Sequence, residues 1–100
     1  MNIAKLFAES MKKMTEIRAE LQQALVVGTS GGGAVKAVVS GLGDLLELTI
    51  SPEVIHPEEP EMLQDLVIAA VRDGVEKARE LQKEKAAELT GGLQIPGMFG

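Results

Sequence analysis

The stretch that decides the fold runs Val26-Val27-Gly28-Thr29-Ser30-Gly31-Gly32-Gly33-Ala34-Val35-Lys36-Ala37-Val38-Val39-Ser40-Gly41-Leu42-Gly43-Asp44-Leu45-Leu46-Glu47-Leu48-Thr49-Ile50. β-Branched side chains crowd a helix and suit a pleated strand. Here they gather in short runs separated by glycine-rich punctuation, the pattern of chain reversals. Gly31-Gly32-Gly33 closes a hairpin, and Ser40 to Asp44 makes a second turn. Leu46, Leu48 and Ile50 then alternate with Leu45, Glu47 and Thr49. The stretch predicts a three-stranded antiparallel meander with one face covered.

Helical periodicity flanks it on both sides. Ile3, Leu6, Phe7, Met11, Met14, Ile17, Leu21, Ala24 and Leu25 step by three and four, which predicts an amphipathic helix over 3–25. Asn2 can cap its start, Glu9 and Lys13 form a supportive pair, and its length is about 35 Å. Downstream, Pro52, Pro57 and Pro60 punctuate the chain, and Glu58, Glu59 and Glu61 suit the positive end of a helix dipole. A second apolar stripe runs from Met62 through Leu66, Ala70, Gly74 and Ala78 to Leu81, and the helix can reach Leu89 before Gly91-Gly92 stops it. Ala70, Gly74 and Ala78, spaced by four, would let that helix lie close against the sheet or another helix. The expected fold is α+β in the order α-β-β-β-α, one domain over 1–92, with residues 93–100 as a flexible tail.

Length adds a constraint that patterning does not. A compact domain of 100 residues is roughly 33 Å across, whereas a helix from Pro60 to Leu89 is about 45 Å long. The helix must overhang its sheet. The first helix then carries more apolar surface than one meander can cover, and self-association would cover the excess.

Composition excludes several classes of function. With 45% apolar and 25% charged residues the chain is neither disordered nor membrane-spanning, and its longest apolar run is only Leu66 to Val71. There is no cysteine and one histidine, which removes thiol chemistry and argues against zinc and haem sites. Absence of a signal-peptide pattern points to the cytoplasm. His56 lies in a Pro- and Glu-rich connection without a neighbouring nucleophile, so it reads as a loop or cap residue. The nearby glutamates have their dipole role and do not need a metal. Gly28 to Lys36 fails as a phosphate loop, because the only lysine lies inside a strand rather than before a helix. Neither an enzyme nor a cofactor is expected.

Charge is distributed unevenly. The chain carries −5, yet residues 1–25 hold four cations against three carboxylates, while 26–60 hold one against five. The second helix concentrates Arg79, Lys83 and Lys85 near its far end. With Phe7 and Phe99 as the only rings, stacking on single-stranded bases is disfavoured.

The element order now meets specific residues. Val-Gly-Thr-Ser-Gly-Gly-Gly-Ala-Val-Lys at 27–36, Leu-Thr-Ile-Ser-Pro-Glu-Val-Ile at 48–55, Glu-Met-Leu-Gln-Asp-Leu-Val-Ile-Ala-Ala-Val at 61–71 and Lys-Ala-Ala-Glu-Leu-Thr-Gly-Gly-Leu-Gln-Ile-Pro-Gly at 85–97 resemble the YbaB/EbfC family of small bacterial nucleoid-associated proteins. The resemblance covers nearly the whole chain. It implies a tweezer-like homodimer with helical arms that binds double-stranded DNA, with roles in nucleoid organisation and gene regulation. It implies no enzymatic activity, no membrane and no small-molecule substrate. Placed on this sequence, the candidate phosphate contacts are Lys12, Lys13 and Arg18 on the first helix and Arg79, Lys83 and Lys85 on the second. The acidic balance departs from the basic character of many DNA-coating proteins. It keeps a second reading open, a module whose arms grip a protein partner.

Overall fold

Three consecutive glycines, Gly31, Gly32 and Gly33, adopt φ of 61°, 68° and 93°, a left-handed path that side chains resist. They turn strand β1 (Leu25–Ser30) back into β2 (Val35–Ser40) through a tight turn in which the Ala34 amide donates to the Gly31 carbonyl. The ladder is antiparallel, with Gly28 opposite Ala37 and Ser30 opposite Val35. Gly43 closes the second turn, and β3 (Leu45–Ile50) pairs with the other side of β2, with a bulge at Val38 and Val39. The sheet order is β1-β2-β3, as the meander required. The computed structural model describes residues 2–89, which form one α-β-β-β-α domain. The tail expected over 93–100 lies outside them.

Helix α1 (Ile3–Gln23) is capped by the Asn2 side chain, which accepts from the amides of Ala4 and Lys5. It ends two residues earlier than its apolar pattern suggests. Ala24 is already extended, with ψ of 145°, and Leu25 pairs with Ser40. Cross-strand pairing takes Leu25 from the helix, because a register is set by the ladder and not by helical spacing. Helix α2 occupies Pro60–Leu89, the predicted span. A short 3-10 turn over Pro52–Val54 joins β3 to the loop before it.

The core is one layer deep. Val35, Ala37 and Val39 of β2 are fully buried beneath Ala70 and Ala78 of α2, with Val26, Leu66, Val67, Val71 and Val75 around them. Burial of each β2 valine contributes about 2 kcal/mol. Helix α2 packs chiefly on β1 and β2. On β3, Leu45, Leu46 and Leu48 stay exposed.

What brings α2 so near is the absence of side chains. A Cβ on Gly28 would stand 2.2 Å from both the Ala70 carbonyl oxygen and the Gly74 nitrogen, and one on Gly74 would stand 2.7 Å from Val39 Cγ2. Backbone lies directly on backbone. The spacing of Ala70, Gly74 and Ala78 thus serves the sheet, the first of its two expected uses.

Beyond the sheet α2 runs on beside α1. Ile17 and Leu21 are buried at the root of this helical pair, and the molecule extends over 67 × 28 × 16 Å. Its radius of gyration is 18.6 Å. A compact chain of this length would have about 13 Å, so the overhang inferred from helix length is real. Gly41 seats the end of α1: its amide donates to the Ala24 carbonyl, its own carbonyl accepts from Gln82 Nε2, and a Cβ there would be 2.5 Å from the Leu21 carbonyl oxygen.

Replacing Gly28 by alanine should cost about 3 kcal/mol or more, at the upper end of overpacking effects, since no side chain can move to relieve a backbone clash. Gly32→Ala, with open space around it but a φ of 68°, should cost less, about 1–2 kcal/mol. Thermal melts of the two variants check the order.

Candidate nucleic-acid interface

Ten cations are present, and the structure divides them into bound and unbound. Lys77 Nζ lies 3.2 Å from Asp73 and donates to the Val27 carbonyl at 2.9 Å. Lys85 Nζ lies 3.0 Å from Glu20 and 3.6 Å from Glu88. The other eight form no ion pair among the described residues, and all eight are exposed.

The six cations that the sequence marks as phosphate contacts do not converge on one spot. Lys12 and Lys13 stand exposed on the free portion of α1. Arg18 borders a cleft of about 420 Å³ between the helices, lined also by Met14, Leu21, Gln82 and Ala86. Arg79 and Lys83 are exposed on α2. Lys85 differs from the rest. Its charge is already answered by Glu20, which ties α1 to α2, and the hydrogen bond to Glu20 raises its pKa. Arg72, outside those six, is exposed and lies seven and eleven residues from Arg79 and Lys83. Those spacings put the three within about 20° of one line down the helix. The sequence signal for Arg72 is this i, i+7, i+11 spacing, which the overhang alone does not bring out because Arg72 lies above the sheet.

The bound cation Lys77 belongs to a structural device. Asp73 Oδ2 accepts the Thr29 amide at 2.9 Å, and Ser30 Oγ donates to the Leu66 carbonyl. Together with Lys77 on the Val27 carbonyl, these contacts satisfy outer-edge groups of β1 that would otherwise invite another strand. The Thr29 hydrogen bond, and then Lys77, hold the Asp73 carboxyl below its ordinary pKa.

No three metal-ligating side chains cluster among the described residues, and no described helix is long and apolar enough to cross a membrane. The site is a pair of projecting helices with scattered, solvated cations, groups of the kind that contact a polyanion.

Comparison with known proteins agrees with this class. The pattern of the YbaB/EbfC DNA-binding family matches residues 1–93. A nucleoid-associated protein of Caldanaerobacter subterraneus is 46% identical over 96 residues, covering 96% of this chain and 84% of that protein. One from Dictyoglomus turgidum is 46% identical over 89 residues, covering 88% and 86% of the two chains. The crystal structure of the uncharacterized protein HP0035 from Helicobacter pylori superposes with a TM-score of 0.78 at 25% identity, covering 90% of this chain and 98% of that one. The chain belongs to the YbaB/EbfC DNA-binding family, which is not a family of enzymes.

A pH dependence follows from Asp73. Its folded pKa is depressed, so its contribution to stability is present above the unfolded value, near 4, and is lost as pH falls through the folded one. Acid titration followed by circular dichroism should show the parent losing stability below about pH 4 faster than Asp73→Ala, which lacks that contribution throughout.

Proposed function

We propose that this protein binds double-stranded DNA as a tweezer-like homodimer, within the cytoplasm and on the nucleoid, with roles in nucleoid organisation and gene regulation. The observation that carries the DNA reading is the set of free cations on the two helices, which together hold nine of the ten cations and ten of the fifteen carboxylates. A molecule of net charge −5 keeps eight of its ten cations exposed and free of ion pairs among the described residues, seven of them on the two helices. Membership of a DNA-binding family supports the same reading.

Phosphates, not base edges, are the proposed targets. Lys12, Lys13, Arg18, Arg79 and Lys83 are free to displace condensed counterions, whereas Lys85 must first leave Glu20 and Glu88 and so contributes least. The acidic segment 26–60 repels the duplex and confines contact to the helices.

Dimerisation is supported by what one copy leaves bare. Leu46 is 57% exposed and Leu48 38% exposed on β3. A second copy packed on this surface would remove it from water at about 25 cal/mol per Å² of apolar area. Sedimentation equilibrium at micromolar concentration should give about 21 kDa, twice the chain mass of 10.6 kDa. Leu48→Asp should shift the mass towards one chain while far-UV circular dichroism keeps its shape.

One observation favours a second reading, in which the arms grip a protein. Ile3, Leu6, Phe7, Met11 and Met14 form an exposed apolar stripe on α1, with Phe7 67% exposed. Gel shifts with duplex DNA at two salt concentrations separate the readings. DNA binding should weaken with a log–log slope of roughly −3 to −5. Changing Lys12 and Lys13 together to Gln should lower affinity alike on all sequences and flatten the slope, while Lys36→Gln should do little. Undetectable duplex binding at low salt would favour the protein partner.

A further inference from the structure

We infer that the outward face of α2 is the principal phosphate-contact surface and that it continues from the overhang onto the body through Arg72. This assignment rests on the DNA-binding reading above and narrows it to one face of one helix. Arg72, Arg79 and Lys83 are all exposed and form no ion pair among the described residues. Their spacing puts them on one line about 16 Å long. Each strand of a duplex presents a phosphate about every 3.4 Å of axial rise, so such a line spans several of them.

Burial elsewhere on the helix fixes which way the line points. Gly74, two residues from Arg72 and about 200° round the helix, lies against Gly28 of the sheet. The opposite face, which carries Arg72, therefore looks away from the body. Arg72 and Arg79 border a shallow depression that Val71 and Val75 also line. Their aliphatic stems can lie on apolar surface while the guanidinium forks stay presented for bidentate contact with phosphate.

The carboxylates of this part of the helix are Asp73, Glu76, Glu80 and Glu84, the last three exposed. Asp73 is turned to the edge of β1, where Thr29 and Lys77 engage it. Among the described residues Glu76 is the acid lying within the line itself, exposed and bordering the same depression. Its charge opposes the proposed contact, and this gives the assignment a signed test. Arg18, facing the cleft between the helices, and Lys85, held by Glu20, lie off this line.

The experiment uses the full chain and a duplex of about 30 base pairs, read by fluorescence anisotropy at 50 and 200 mM salt. Arg72→Gln should weaken binding about fivefold at the lower salt and make the log–log slope shallower by about one, the share of a single phosphate. Glu76→Gln should tighten binding severalfold, which loss of structure could not mimic, and Lys36→Gln should leave affinity unchanged. If the parent binds and Arg72→Gln and Glu76→Gln both bind within twofold of it, the face assignment is wrong while the DNA reading stands. A parent that does not bind duplex at either salt overturns both.

Discussion

The contact of Gly28 on Gly74 is the constraint on which the rest of the molecule depends. A strand and a helix normally stand about 10 Å apart because side chains fill the space between them. Here a Cβ on Gly28 would fall 2.2 Å from the helix backbone, so the two elements meet main chain to main chain. Only a thin core is left to fill, and alanines and valines suffice: Val35, Ala37 and Val39 below, Ala70 and Ala78 above. The short distance also brings Asp73, Lys77 and the Leu66 carbonyl within hydrogen-bonding range of β1. A larger residue at either glycine would lift the helix off all of these partners together.

The two edges of the sheet are treated differently as a result. Helix α2 lies over β1 and β2, and its polar side chains close the outer edge of β1. On the far side β3 keeps Leu45, Leu46 and Leu48 in solvent. One edge is finished within the chain, and the other is not.

Much of this is legible in the sequence because it is local. The glycine triplet, the alternation of Leu46 to Ile50 and the three-four stepping from Met62 to Leu81 each report on neighbours a few residues away, and each element appears where its pattern puts it. Helix length against domain size likewise yields the overhang. Contacts across the fold are not legible. Thr29 and Asp73 are 44 residues apart, and nothing in either neighbourhood announces the other. The same holds for Lys85 and Glu20, so a cation that looks free from its surroundings proves to be held. Leu25 fits the helical stripe as well as the strand, and only its cross-strand partner Ser40 decides between them. Arg72 shows in the spacing, yet its alignment with Arg79 and Lys83 gains meaning only once Gly74 fixes which side of the helix faces the sheet.

The seat at Gly41 gives the molecule the mechanics of a lever. Helix α1 meets the body at its last turn, where Leu21 rests on Gly41 and Gln82 is hydrogen-bonded to the same residue. Its free end, at Ile3, is roughly 30 Å away along a stiff rod. A tilt of about 5° at the seat moves that end by roughly 2.5 Å over such a length, close to the length of a hydrogen bond. Small adjustments at this fulcrum are therefore magnified at the free end of the helix. The position of that free end is set by a residue with no side chain at the opposite end of the helix.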